Sequence, residues 1–280
     1  MGTAVEVTEC VDLLKKLFEE EYHVISKLVA NNKLQNVYIY IDSIEVGFNS
    51  DNSESYVMLE NKEIAALVFI YCHSIQLMEF KELPDEAAKE IADFIIRRNI
   101  IRVSGNSTLV QKVGKYLNCR ITYGYVMEFN GKEYKRSQKT IWATEADLPK
   151  IAELICTDDS IGISYTFDNL YSQLSHRMLY EHCRNMIIKK NGEIAAHMAT
   201  YAEIDKIAVL GGLITDPKYR GLGLGSILVK ELSSEMRYTY GKTTLLYCFE
   251  EKYRKWYEKL GYSVVNTTAK IDVNTYTLSL

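Results

Sequence analysis

The stretch ITDPKYRGLGLGSILVKEL runs from Ile214 to Leu232. Gly221, Gly223 and Gly225 alternate behind Arg220, and an apolar periodicity of helical type follows at once, with Leu224, Ile227, Leu228 and Leu232 on one face. A glycine weakens a helix by about 1 kcal/mol relative to alanine. Three of them at a helix start imply an offsetting gain, and the gain expected here is a ligand. The preceding apolar run IAVLGGLIT (207–215) reads as a strand, so the glycines lie at a strand-to-helix junction. Glycine lets the backbone approach a ligand closely. The first helical turn offers free N–H groups and a positive dipole end, which together suit phosphate. Arg220 adds a fixed positive charge at the mouth.

Elsewhere the chain reads as an ordinary globular one. It has 280 residues, 47% apolar and 25% charged, enough for two domains of about 140 residues each. Three prolines and 15 glycines argue against long disordered linkers. A formal net charge of −4 gives no basic footprint for nucleic acid. The opening MGTAVEVTECVDLLKK has no apolar core of a signal peptide and no membrane-length run. The six cysteines, Cys10, Cys72, Cys119, Cys156, Cys183 and Cys248, form no Cys-x-x-Cys pair and have no histidine cluster near them. The expectation is a reduced, cytoplasmic protein with buried thiols, no metal and no membrane partner.

The N-terminal half opens with a helical pattern from Thr8 to about Ala30. Extended segments are expected at VYIYID (37–42), SYVMLE (55–60), EIAALVFIY (63–71) and SIQLMEF (74–80). A helix over 84–98, a strand over 100–104, a helix over 107–117 and a strand over 120–129 follow. The polar NGKEYKRSQK (130–139) reads as a linker. The second half starts with a strand at 140–143 and a helix at 144–155, where Thr144 and Asp147 nearly make a capping box. A helical region over 168–183 and a hairpin over 185–201, turned by Asn191-Gly192, lead to the strand before the glycines. A strand over 242–249, a short helix EKYRKWYEKL (251–260) ended by Gly261, and terminal strands complete it. Both halves read helix, strands, helix, strand, helix, strand, which suggests an internal duplication.

Two familiar phosphate-binding loops fit poorly. A P-loop needs Lys-Ser/Thr directly after its last glycine, and Lys230 comes too late. A dinucleotide fingerprint needs Gly-x-Gly-x-x-Gly directly after the strand, yet DPKY intervenes and Ser226 stands where the third glycine belongs. RGLGLG instead resembles the acetyl-CoA loop of the GNAT N-acetyltransferase superfamily, Arg/Gln-x-x-Gly-x-Gly/Ala. LITDPKYRG resembles the strand end before that loop, WYEKLGYSVV (256–265) its second signature, and ATEADLPKIAELI its opening helix. The resemblance covers about residues 138–270 and is nearest to the branch with two tandem GNAT-like halves.

The resemblance implies an α/β (α+β) fold of two such halves, each a mixed, largely antiparallel sheet flanked by helices. It implies a degenerate N-terminal domain over 1–135 and a catalytic domain over 138–280. Acetyl-CoA would be the co-substrate, its pyrophosphate held by the backbone of Arg220, Gly221, Leu222, Gly223, Leu224, Gly225 and Ser226. Leu213, Ile214 and Thr215 would pair with the pantetheine arm, and a backbone N–H there would polarise the acetyl carbonyl. Tyr257 matches the tyrosine that protonates the departing thiolate, although Tyr253, Trp256, Tyr257 and Leu260 also form a packing stripe. Glu250 stands where the family more often has asparagine and is one candidate base. Glu203, Asp205 and His197 are its rivals. Cys248 reads as a buried thiol, since direct transfer needs no acyl-enzyme.

The acceptor would be a small-molecule or peptide amine, attacked directly in a ternary complex. Where the N-terminal half should carry its own loop it has KELPDEAAKEI (81–91), with Glu82, Asp85 and Glu86 and no glycine. Two phosphates would be repelled there. That leaves this half to shape the acceptor pocket or a subunit interface, as in a homodimer. Two other readings stay open, a non-catalytic acyl-CoA-binding or sensor module and, more remotely, a nucleotide-binding oxidoreductase.

Overall fold

The computed structural model describes residues 14–71, 74–158, 165–179, 183–204 and 206–273. They divide into two compact units, one reaching to Gly124 and resuming at Asn266, the other spanning Tyr125–Val265. The sequence elements fall in order as β1 (Lys15–Lys16), α1 (Tyr22–Asn31), α2 (Val37–Glu45), β2 (Ser53–Glu60), β3 (Glu63–Tyr71), β4 (Ser74–Glu79), α3 (Asp85–Arg97), β5 (Arg102–Asn106), α4 (Ser107–Leu117) and β6 (Ile121–Phe129). The second series is β7 (Thr140–Trp142), α5 (Leu148–Cys156), α6 (Phe167–Leu179), β8 (Asn185–Lys190), β9 (Glu193–Ile204), β10 (Ile207–Thr215), α7 (Leu224–Ser234), β11 (Thr243–Cys248), α8 (Glu251–Lys259) and β12 (Tyr262–Asp272).

In the first unit the strand order is β1-β2-β3-β4-β5-β12, with only β4 and β5 parallel to each other. β3 is almost continuously apolar because both its faces are covered. Ala66, Val68 and Ile70 pack under α3 and α4, while Leu67 and Phe69 pack with Ile25, Val29 and Ile39 of α1 and α2. α3 carries Ala88, Ile91, Ala92 and Ile95 at helical spacing, all buried, behind an acidic first turn. The second unit runs β6-β11-β10-β9-β8-β7, with β10 and β11 its parallel pair. α7 and α8 cover one face of this sheet and α5 and α6 the other. Each half thus has an antiparallel meander, a crossover helix, a parallel strand and a second helix.

The strand that follows α4 pairs with β11, and the strand that follows α8 pairs with β5. This exchange corrects the expected boundaries. The division 1–135 and 138–280 gives way to a discontinuous first unit that takes back the end of β12, where Ala269, Ile271 and Val273 join its core. The segment 130–139 is no linker. Tyr134 packs on the core beneath α7, and its N–H donates to Ser234 Oγ at 2.8 Å.

Two further expectations fail. VYIYID forms α2 rather than a strand. Asn36 Oδ1 accepts the Ile39 N–H at 3.3 Å and starts the helix. Val37, Ile39 and Ile41 are all fully buried, so an embedded helix mimics the period of two. The long helix expected from Thr8 is also broken. Lys15–Lys16 pair with Tyr56 and Val57 of β2, and α1 begins only at Tyr22, while residues 8–13 lie outside the described residues. β5 starts two residues later than expected, at Arg102. The Asn191-Gly192 turn is as read, both residues having positive φ, 52° and 81°. So is the Thr144 cap, whose N–H donates to Asp147 Oδ2 at 3.0 Å. Of the thiols described, Cys183 and Cys248 are buried, and Cys119 and Cys156 only partly so. Cys10 and Cys72 lie outside the described residues. Among those residues no helix is long and apolar enough to cross a membrane, and no cluster of ligands suits a metal ion.

Candidate functional site

β10 carries two glycines in its middle, and the strand deforms there. Gly211 pairs with Ala199 and Ile214 with His197, so Gly212 and Leu213 together face one residue, Met198, of β9. This is a β-bulge, and Gly212 takes a φ of +63° that a side chain would disfavour. On the other side, pairing with β11 ends at Leu210 and Leu246, while β10 runs on to Thr215 and β11 to Cys248. The two strands part beyond that point and leave a cleft of about 820 Å³. Gly212–Thr215 line one wall, Leu246–Glu250 the other, and Trp256 and Tyr257 of α8 close one side.

The glycine loop lies at the end of the β10 wall. Gly221 and Gly223 have φ of +81° and +73°, and a Cβ on either would meet nothing within 4 Å. Gly223 is the N-cap of α7 and has no side chain to cap it. The first intrahelical bond runs from the Ile227 N–H to the Gly223 carbonyl at 3.2 Å. The N–H groups of Leu224, Gly225 and Ser226 therefore have no acceptor within the helix. A glycine cradle open to solvent in front of an uncapped helix start fits a pyrophosphate. Arg220 is held at the rim, its Nε donating to the Thr215 carbonyl at 3.1 Å and its guanidinium paired with Asp158 at 3.3 Å.

Of the expected cofactor residues, Leu213, Ile214, Thr215, Arg220 and Gly225 line the cleft. Leu224 is buried in the core, so it can offer only its backbone, and Leu222 is exposed. Tyr257 lines the cleft and also packs, edge-on to Trp256 at 4.8 Å and to Tyr262 at 5.6 Å between ring centroids. Burial, then the nearby Cys248 and Tyr253, hold its hydroxyl well above the usual phenol range, so it carries its proton at neutral pH. Burial likewise pushes up the Cys248 thiol in the same wall.

The candidate bases fare differently. Glu250 is at the cleft but exposed and paired with Lys252 at 2.7 Å. Glu203 does not line the cleft. It is buried, accepting from Arg184 Nε at 3.1 Å on both oxygens and from Thr200 Oγ1 at 3.0 Å, and paired with Lys242 at 3.2 Å. Asp205 lies outside the described residues. His197 is buried behind the bulge, and burial pushes its pKa down to about 4. Sequence reasoning missed Asp158, whose position in a helix-end loop carries no signal. It also missed the bulge, although two adjacent glycines inside a strand pattern are a cue for one.

Residues 148–262 match the acetyltransferase (GNAT) family. No curated protein matches the sequence. Among solved structures, a GCN5-related N-acetyltransferase from Sphaerobacter thermophilus is similar at 13% identity and a TM-score of 0.62, covering 92% of this chain and 94% of that one. A GNAT-family acetyltransferase from Colwellia psychrerythraea gives 12% and 0.60 over 93% and 99%. A tandem GNAT protein from the clavulanic acid biosynthesis pathway gives 8% and 0.57 over 93% and 98%. At these identities the likeness speaks for the fold. The family match and the fold order agree: residues 148–262 carry a GNAT domain, and the chain as a whole has the fold of two tandem GNAT-like halves.

Proposed function

We propose that the second unit transfers an acetyl group from acetyl-CoA to a primary amine of a small molecule or peptide, by direct attack in a ternary complex. The observation that carries this is the parting of β10 from β11 beside an uncapped, glycine-lined helix start. The backbone of 220–226 holds the pyrophosphate, and the free edge of Leu213–Thr215 takes the pantetheine arm as an added strand. A backbone N–H of that edge donates to the acetyl carbonyl as negative charge develops on it, an effect worth about 3 kcal/mol in comparable sites.

The amine nitrogen must arrive neutral, which costs roughly 4–5 kcal/mol at pH 7 for a lysine-like amine. It forms the new C–N bond, and the C–S bond breaks to release the thiolate. Tyr257 donates its hydroxyl proton towards that sulfur. Its raised pKa would make full transfer to a thiolate in water uphill. The sulfur, however, departs into the same apolar wall that pushes up Cys248, which raises the acidity match between the two. The proton lost by the amine leaves through Glu250 or water, and Tyr257 takes a proton back from solvent to close the cycle.

A second reading, a non-catalytic acyl-CoA-binding module, draws on one observation. Glu250 is tied to Lys252, Glu203 to Arg184 and Lys242, and His197 is buried, so no described carboxylate or imidazole stands unengaged in the cleft as a base. Calorimetry with acetyl-CoA should give one site per chain, and a turnover assay over an amine panel separates the two readings. Binding without turnover on any amine would favour the module, and no binding would remove both.

A further inference from the structure

The cleft wall is held from behind by a side chain that the proposed chemistry does not use. His197 sits on β9, 1% exposed, and does not line the cleft. Its Nδ1 lies 2.9 Å from the Gly212 carbonyl, and its Nε2 lies 2.9 Å from Oδ1 of Asn185, itself 2% exposed. A buried imidazole that stays neutral has one donor and one acceptor. The carbonyl can only accept, so Nδ1 carries the proton and Nε2 is bare. A bare Nε2 needs a donor, so the Asn185 amide nitrogen belongs on that side. The orientation with Oδ1 towards the ring leaves Asn185 Nδ2 without a partner, and reversing the amide gives Nδ2 the Nε2 acceptor. The Gly212 carbonyl thus selects the tautomer, and Asn185, donating to Nε2, supports it.

The consequence falls on the next N–H. No peptide bond in the described chain is cis, so the Gly212 carbonyl and the Leu213 N–H point in opposite directions across one rigid plane. A carbonyl drawn to His197 turns the Leu213 N–H away from it. Gly212 and Leu213 both line the cleft, on the side where β10 has left β11. Only glycine suits this geometry, since at Gly212 a Cβ would stand 3.3 Å from His197 Cε1 on a backbone with positive φ.

We propose that His197, supported by Asn185, is a positioning residue that aims the Leu213 N–H at the acyl carbonyl in the cleft. This rests on the acetyl-CoA reading above. The test uses the full chain with His197→Asn, His197→Gln and His197→Ala. Asparagine can place an N–H near the Nδ1 position and reach the Gly212 carbonyl, whereas glutamine reaches only towards Asn185 and alanine reaches neither.

The direct readout is the infrared stretch of the carbonyl of ¹³C-labelled acetyl-CoA, which needs no amine. The wild type should lower that frequency relative to acetyl-CoA in water. His197→Asn should keep the lowering, and His197→Gln and His197→Ala should lose it with acetyl-CoA affinity within about threefold. Turnover should fall about 10- to 100-fold in the latter two with KM for acetyl-CoA nearly unchanged. That is less than the 10²–10³-fold of deleting a donor, because the N–H is displaced rather than removed.

Gly212→Ala, which pushes on the same ring, should lose the lowering too, and it decides the matter alone if the His197 variants do not fold. The proposal is overturned if His197→Gln or Gly212→Ala keeps the lowered frequency, or if folded His197→Asn loses it. A bound but unshifted carbonyl in the wild type overturns this proposal alone. Failure of the wild type to bind acetyl-CoA overturns it together with the reading beneath it.

Discussion

The two halves repeat one topology and differ at one junction. In the first, β4 runs only two residues past its last pairing with β5, at Leu77 and Gly105. Asn106 then stitches the strand ends, its Oδ1 accepting the Glu79 N–H and its Nδ2 donating to Glu79 Oε2, both at 3.3 Å. Glu79 Oε1 accepts the Leu83 N–H at 3.0 Å, and Lys112 donates to the Leu83 carbonyl at 2.6 Å. Asp85 and Glu86 occupy the positive end of α3. In the second half β10 runs five residues past Leu210, through a bulge, to a helix start with no capping side chain. Pro84 gives α3 no capping side chain either, but the first junction ties its strand ends together and fills its dipole end with charge. The second leaves N–H groups and space. A site arises in this fold where the chain declines to pair with itself.

The largest effect should come from making the second junction resemble the first. Gly223→Glu adds a carboxylate at the N-cap of α7 and forces a side chain onto a φ of +73°. Strain of about 1–3 kcal/mol and like-charge repulsion both act. Coenzyme A affinity, measured by calorimetry, should fall more than about 100-fold. Gly223→Ala carries the strain without the charge, and its Cβ meets nothing in the protein, so it should retain measurable binding. Equal loss in both variants would assign the effect to backbone shape rather than to the missing acid.

Next in size is Tyr257→Phe, which touches the chemistry and spares the cradle. Turnover should fall about 10²–10⁴-fold, the usual range for a positioned acid. Coenzyme A affinity and melting temperature should hardly change, because the ring contacts to Trp256 and Tyr262 remain. A fall under threefold where chemistry limits turnover would return Tyr257 to a packing role.

Much of this contrast was legible in the sequence. The glycines behind Arg220 and the acids of KELPDE differ by residue type, and type alone decides whether a junction can take an anion. The hairpin at Asn191-Gly192 and the cap at Thr144 are equally local, and both hold. What escaped was set by distant partners. Val37–Asp42 has β-branched and aromatic residues at alternate positions, and only burial on most sides makes it a helix. The exchange of β6 and β12 depends on which open edge each strand meets, which no local pattern encodes. His197 was read as a rival base. Its partner is a glycine carbonyl fifteen residues away, which no local pattern shows.

Acid should separate the two junctions through that histidine. Burial lowers its pKa from 6.5 to about 4 against the pull of the Gly212 bond, so between those pH values the unfolded chain binds a proton that the folded one refuses. The sign is therefore a loss of stability as pH falls from 6.5 towards 4, with no further loss from this group below that. The gap corresponds to about 3 kcal/mol. Urea unfolding at pH 7 and pH 4 should show wild type losing about that much more stability than His197→Asn, which has nothing to titrate. Equal pH dependence in the two proteins would mean that His197 is not held neutral behind the bulge.

The smallest effect concerns Asp158, the acid that pairs with the second junction's cation among the described residues. Its carboxylate pairs with Arg220 at 3.3 Å and lines the cleft, so it does in part what Asp85 and Glu86 do for α3. It neutralises positive charge where an anion would sit. Arg220 also donates to the Thr215 carbonyl at 3.1 Å, so removing the acid should leave the guanidinium tethered but with more of its charge free for phosphate. Arg220 is more than half exposed, and pairs of that kind are worth about 0–1 kcal/mol. Asp158→Asn should therefore tighten coenzyme A binding by no more than about fivefold, and the gain should shrink at high salt because screening acts on exposed charge. Arg220→Gln should move affinity the other way. In the background of Arg220→Gln, Asp158→Asn should change little beyond the relief of its own repulsion. Weaker binding in Asp158→Asn alone would show instead that the pair holds Arg220 in its working position, and that the second junction needs its acid as a brace.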